Sequence, residues 1–285
     1  MNQAQYWVNL LSQLGTDAFR LCLWLLLLSA VFVPLEFYLS RRPATEKRAR
    51  IEPFDFLYFF INGLLPSLLL TAPLALLAVL ARQLVPEALP QVVATLSLWL
   101  RLLLVLLVSE VGFYWGHRFS HKVPFLWRFH AVHHAPKGLN FLVNLHAHPL
   151  DLCFNRLCGF IPLYLLGLIG PSAGGTVTPI ALIVFSTFWS HFVHADVRWR
   201  LGPLEQLISS PAFHHWHHNR DERPDCNFAS LLPWMDRLFG THYLPKHWPT
   251  AYGITADHPA GLWQQLAEPL KPAARPSGPS ATSQA

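Results

Sequence analysis

Charge is almost absent from three stretches of this chain, Leu21 to Phe37, Leu57 to Leu80 and Val92 to Val108. Each is close to the roughly 20 residues an α-helix needs to cross a bilayer core. Between Pro149 and Ala195 two further apolar runs are separated by Gly170, Pro171, Gly174 and Gly175, a helix-turn-helix pattern that crosses and returns. The pattern predicts an all-α integral membrane protein of four or five transmembrane helices. Pro66 and Pro73 predict kinks in the second span. The third continues without proline from Val105 through Glu110, Tyr114, His117 and His121, which share one face at helical spacing.

Polar positions set the boundaries. Residues 1–18 read as an interfacial segment, either a short amphipathic surface helix with Tyr6 and Trp7 at headgroup level or an unstructured terminus. Residues 19–110 hold the first three spans. Residues 111–248 form a histidine-rich catalytic domain that includes the apolar hairpin, about 150–194. Residues 249–285 close the chain, with the Pro/Ala/Ser-rich end expected to be disordered from about 269. Leu204 to Ile208 reads as a surface helix.

Composition agrees with the pattern: of 285 residues, 52% are hydrophobic and only 13% charged, too apolar for a soluble domain. No cleavable signal peptide is evident, because the first apolar run is followed by RRPATEKRAR and not by a small-residue site. Arg41, Arg42, Lys47, Arg48 and Arg50 place that loop in the cytoplasm by the positive-inside rule. Three spans and a hairpin then bring every histidine-rich segment to the cytoplasmic side, as a helical cap. The net charge of +5 lies beside apolar helices and accompanies no nucleic-acid motif, so nucleic acid is excluded as a partner. Cys22, Cys153, Cys158 and Cys226 are scattered, without disulfide or zinc-ribbon spacing.

The chemistry lies in the histidines. His117 and His121 are four apart, and His130/His133/His134 and His214/His217/His218 each repeat an i, i+3, i+4 pattern, so every set lies on one helix face. Buried together without metal, eight imidazoles leave ring nitrogens lacking partners. A single zinc takes three or four ligands, so two ions with open positions account for the count better. Imidazole suits iron, copper, nickel and zinc alike, and ligand type alone does not choose the metal. Groups that hold imidazoles from behind are also required. Glu110 is the first candidate, followed by Asp151, Asp196, Asn219 and Asn227.

HRFSH, HAVHH, AHPLD (Ala147 to Asp151), HHWHH, NFAS and DRLFGT (Asp236 to Thr241) together resemble the membrane fatty acid hydroxylase and sterol desaturase superfamily, over roughly Glu110 to Pro245. The resemblance implies that His117, His121, His130, His133, His134, His214, His217 and His218 ligate metal, with His194 of the HADVR segment a ninth. For a tenth, His148 competes with His191. It further implies two iron ions, dioxygen as co-substrate, and hydroxylation or desaturation of an unactivated C–H position in a lipid, sterol or isoprenoid. No haem-binding HPGG, flavin fingerprint or cysteine cluster occurs, so a separate electron-donor protein is expected. The lack of an endoplasmic-reticulum retention signal leans to a bacterial inner membrane. Two other readings compete. A non-catalytic membrane protein holding zinc or nickel fits widely separated boxes poorly, because metal-storage tracts are low-complexity repeats. A transporter predicts polar residues at mid-membrane, whereas these histidines fall at helix ends.

Overall fold

A computed structural model describes residues 3–40, 50–170, 180–259 and 261–271, and these contain helices and no strand. The long apolar runs fold as α1 (Gln3–Leu39), α2 (Pro53–Leu84) and α4 (Leu98–Lys122), with a short α3 (Ala88–Thr95) before the last. All three long helices have the length and composition to cross a membrane, and only 11–17% of each apolar window is buried inside the protein. Surface that apolar requires lipid around it.

Two boundaries differ from the sequence pattern. No separate surface helix precedes the first span, because α1 continues unbroken from Gln3 through Pro34. The third span starts at Leu98 and not near Val92: Leu96 and Ser97 leave the helical conformation, and the Ser97 hydroxyl accepts the Leu100 N–H as a new N-cap. Pro66 and Pro73 both lie within α2.

Val123 and Pro124 end α4 and start α5 (Pro124–His134) at once, since proline is well placed in a helix's first turn. The apolar hairpin folds as α6 (Pro149–Leu165) and α7 (Ile180–His194), of 17 and 15 residues, both shorter than the three long spans. Its expected turn at Pro171, Gly174 and Gly175 lies outside the described residues, as do Arg41, Arg42, Lys47 and Arg48 and the tail from 272. Beyond follow α8 (Pro211–His217), α9 (Trp234–Leu238) and α10 (Leu262–Ala267). Short 3₁₀ turns occupy Gly202–Gln206, close to the expected surface helix, and Glu268–Leu270, where disorder was expected to begin.

One end of the helical array is tied together by polar contacts. Glu36, near the end of α1, accepts the Phe141 and Asp196 N–H groups, and Asn62 of α2 donates to the Leu145 and Ala147 carbonyls. Along α4, Gly112 and Gly116 let α6 approach so closely that a Cβ at Gly112 would lie 2.1 Å from the Cys158 carbonyl oxygen. The histidine-bearing end of α4 is thereby fixed against α6.

Candidate metal centre

Four helices bring nine histidines together. α4 contributes His117 and His121, α5 His130, His133 and His134, α7 His194, and α8 His214 and His217, with His218 capping its end. The seven-residue α8 is held in register by Ser210, whose hydroxyl accepts the Phe213 N–H and donates to Glu205, and by Pro211 in its first turn.

The nine fall into two groups, His117/His121/His130/His134/His217 and His133/His194/His214/His218, and within each the ligand-capable atoms all lie within 4.8 Å of one another. Each HxxHH box is divided between them. Residues four apart (His130 and His134, His214 and His218) serve one group, and the residue at i+3 (His133, His217) turns to the other. The groups are therefore adjacent, with the His134 and His218 rings 4.4 Å apart between centroids.

Hydrogen bonds behind the rings fix which nitrogens face inward. His117 Nδ1 donates to the Phe228 carbonyl (2.7 Å) and His130 Nδ1 to the Asp151 carboxylate (2.9 Å), so both Nε2 atoms present lone pairs. Those atoms face each other at 3.1 Å. In the second group His133 Nδ1 donates to the His146 carbonyl and His194 Nδ1 to that of Ser190, and their Nε2 atoms stand 3.3 Å apart. Opposed lone pairs repel unless a cation lies between them. Metal–nitrogen bonds of about 2.0–2.1 Å give neighbouring ligand atoms about 3 Å apart, the spacing found here. His121 Nε2 and His217 Nε2 are buried with no hydrogen-bond partner, although Asp225 and the Cys226 carbonyl hold their Nδ1 atoms. The donor set fits two metal ions.

Protonation does not relieve the crowding. Burial, and after it the neighbouring imidazoles, push His133, His134, His214, His217 and His218 well below the ordinary imidazole range. Neutral imidazole is the form that binds metal. A cavity of about 180 Å³ opens onto both groups, lined by His117, His130, His133, His194 and His214 together with Phe113, Leu152, Val193 and Phe228.

Not every histidine or polar candidate joins the cluster. His148 stands outside both groups because both its nitrogens are engaged: Nδ1 accepts the Leu150 N–H as the cap of α6, and Nε2 bonds the Leu266 carbonyl. His191 also lies outside, with Nδ1 on the Phe141 carbonyl. Of the polar residues expected behind the rings, Asp151 is in place. Glu110 is not, since seven helical residues put it about 10 Å along the axis from His117; its carboxylate receives the Leu231 and Leu232 N–H groups. Asn219 binds backbone at Trp216, Glu222 and Arg223, and Asn227 binds backbone at Phe213 and Tyr243. Both order the loop after α8 without touching a ring. Asp196, two residues after His194, is buried, with its N–H held by Glu36.

Two acids were missed. Asp225, at a φ of 60°, puts one carboxylate oxygen 3.0 Å from His121 Nδ1 and the other 2.7 Å from Lys122 Nζ. Asp236 accepts the Phe228 and Ala229 N–H groups and the Thr241 hydroxyl, which fixes the Phe228 carbonyl behind His117. The DRLFGT motif signalled the second; the first left no periodic trace.

Residues 102–241 match the family model "Fatty acid hydroxylase". The chain is 34% identical over 174 residues to an ornithine lipid hydroxylase of Rhizobium tropici, covering 60% of this chain and 50% of that protein. It is 34% identical over 164 residues to the alkylglycerol monooxygenase of Danio rerio, 56% of this chain and 34% of the relative. With a methylsterol monooxygenase of Arabidopsis thaliana it shares 28% over 141 residues, 50% of this chain and 52% of the relative. The chain thus spans about a third to a half of the length of these curated relatives. No solved structure matches it.

Proposed function

Since the chain belongs to the fatty acid hydroxylase and sterol desaturase superfamily, we propose that it is a membrane-embedded, dioxygen-dependent oxygenase that hydroxylates an unactivated C–H position of a lipid. The observation that carries the reading is the shared cavity, onto which both histidine groups open between apolar walls. In this reading His117, His121, His130, His134 and His217 hold one iron and His133, His194, His214 and His218 the other. The paired irons supply dioxygen activation, with electrons from a separate donor protein.

The protein's own residues do the positioning. Asp151, Asp225 and the carbonyls of Phe228, Cys226, His146 and Ser190 keep Nδ1 protonated and Nε2 turned inward at His130, His121, His117, His217, His133 and His194. Phe113, Leu152, Val193 and Phe228 offer an alkyl segment an apolar wall beside the histidines, and a segment seated there displaces water from the cavity. Spans whose apolar surface is mostly unburied allow a lipid to enter sideways from the bilayer. Ornithine lipid, alkylglycerol and methylsterol are what the names of relatives mention, and all are amphiphiles with alkyl C–H bonds. The basic stretch Arg41 to Arg50 supports a cytoplasmic position for the metal end by the positive-inside rule, and in this reading the membrane is a bacterial inner membrane.

The test is lipid mass spectrometry of cells with and without the gene, grown under ¹⁸O₂, with His133→Ala as control. A lipid gaining one labelled oxygen only with the wild-type gene is the expected result. A lipid losing two hydrogens and gaining no label makes it a desaturase. Unchanged lipids, with tightly bound zinc in the purified protein, support the non-catalytic alternative.

A further inference from the structure

The long spans are not the only apolar surface that the protein leaves open. Leu204 and Leu207, in and just after the 3₁₀ turn Gly202–Gln206, and Trp234, Leu238 and Phe239, along and just after α9, are each between 37% and 69% exposed. The two segments form one unit. Arg237 of α9 donates to the Glu205 and Gln206 carbonyls, the Ser209 N–H bonds the Leu231 carbonyl, and the Ser209 hydroxyl donates to the Ser230 carbonyl.

This unit is docked against α4 well before that helix ends. Glu110 accepts the Leu231 and Leu232 N–H groups, and the Phe239 ring stacks on Tyr114 at 5.4 Å and meets Trp115 edge-on at 4.9 Å. At 1.5 Å per residue, Glu110 lies about 18 Å and Tyr114 about 12 Å along the axis from Lys122, the last residue of α4. A bilayer core of about 30 Å takes about 20 helical residues, so a core entered at Leu98, the start of α4, is left at about residue 117. Glu110, Tyr114 and Trp115 fall inside it, and what packs on them shares their depth. The polar groups of the unit suit that position, because backbone in lipid must be bonded within the protein. The Leu207 and Ile208 N–H groups return to the Leu204 carbonyl, while the Glu110 and Arg237 side chains satisfy the groups named above.

We propose that the 3₁₀ turn Gly202–Gln206 and α9 form a lip embedded in the leaflet at the metal-bearing end of the spans, with its apolar face against phospholipid alkyl chains. Lipid is the occupant because the face continues onto the spanning helix itself: Phe239 packs on Trp115, and Trp115 on Phe119, which is 45% exposed. Ser230, whose carbonyl holds the lip, also lines the cavity at the metal centre, so the lip is joined to a wall of that cavity. The proposal rests on α4 crossing the bilayer and not on the oxygenase reading.

The test is photocrosslinking of the full chain in phospholipid nanodiscs, with p-benzoylphenylalanine replacing Leu207 or Leu238 and the adducts identified by mass spectrometry. Both side chains are exposed, so the replacement disturbs little packing. Leu103, 50% exposed on α4, is the control for lipid, and Asp221, exposed in the loop after α8, is the control for water. Phospholipid adducts at Leu207 and Leu238 in the yield found at Leu103, and none at Asp221, are the expected result. Adducts at Leu103 with none at the other two leucines overturn the proposal, and crosslinks from those two to a second chain overturn it by giving the face to another copy of the protein. If Leu103 gives no lipid adduct either, α4 does not cross the bilayer and the proposal falls with that reading.

Discussion

At the scale of residues, Asp151 and Asp225 do the same work in different surroundings. Both sit behind an imidazole of the first group, but the Asp151 side chain is 4% exposed and that of Asp225 37%. Water can replace the second partner and not the first. Asp151→Asn is expected to weaken iron binding toward the upper end of the roughly 10–100-fold range for such partners, and Asp225→Asn by less than about tenfold. Iron retained per chain after graded chelation measures both, and equal losses would reject the difference. A pH effect follows from the neutral rings. His133, His134, His214, His217 and His218 have folded-state values well below the unfolded value of about 6.5. Below that pH the unfolded chain binds more protons than the folded one, so the metal-free protein loses stability as pH falls, and above it these groups contribute no pH dependence. The melting temperature of chelated protein should fall from pH 7.5 to 5.5, and a flat profile would show that the rings are not held neutral. The boxes were legible in the sequence because i, i+3, i+4 spacing is itself geometry. Their backing was less so. The Phe228, Cys226, His146 and Ser190 carbonyls belong to the backbone and leave no mark on residue type, while Asp225 meets His121 across 104 positions through a left-handed turn.

At the scale of elements, the registry of α4 against α6 governs the site. Ser120 of α4 donates to Asp151 at the start of α6, and Asp151 holds His130. A Cβ at Gly112 meets the Cys158 backbone oxygen at 2.1 Å, an atom that cannot swing aside as a side-chain tip would. Gly112→Ala should therefore push the helices apart at a cost of about 1–3 kcal/mol and lower iron content with it. Gly15→Ala, where a Cβ meets nothing within 4 Å, is the matched control and should be neutral or gain up to about 1 kcal/mol of helix propensity. Thermal unfolding in detergent compares them, and a Gly112→Ala protein melting like the control would show that the two helices are free to separate. The long helices were legible from apolar length alone. The break before α4 was not, because Thr95, Ser97 and Arg101 are the polar positions in an otherwise apolar run from Val92 to Val108, and the break is marked by the capping hydroxyl of Ser97.

At the scale of the whole molecule, the direction of each helix decides whether one face of the membrane can hold the site. α1 ends, α2 begins and α4 ends at the histidine-bearing end, through the contacts of Glu36, Asp55 and His121. A single crossing by α2 then places residue 87, between α2 and α3, on the opposite face from Pro53, where α2 begins. Because α6 starts at Pro149 and α7 ends at His194, the intervening hairpin must both leave and return to the metal end, whether or not it crosses fully. Lengths of 17 and 15 described residues, below the roughly 20 needed, leave that choice to experiment. Single cysteines at Glu87, Arg42 and Ser172 in a cysteine-free background, labelled in intact cells with a membrane-impermeant maleimide, decide it. Glu87→Cys is expected to label from outside and Arg42→Cys only after the membrane is opened. Labelling of Ser172→Cys from outside makes five spans, and protection makes three spans with a re-entrant pair. If Arg42→Cys labels in intact cells and Glu87→Cys does not, the metal end faces outward, and a cytoplasmic electron donor has no access to it.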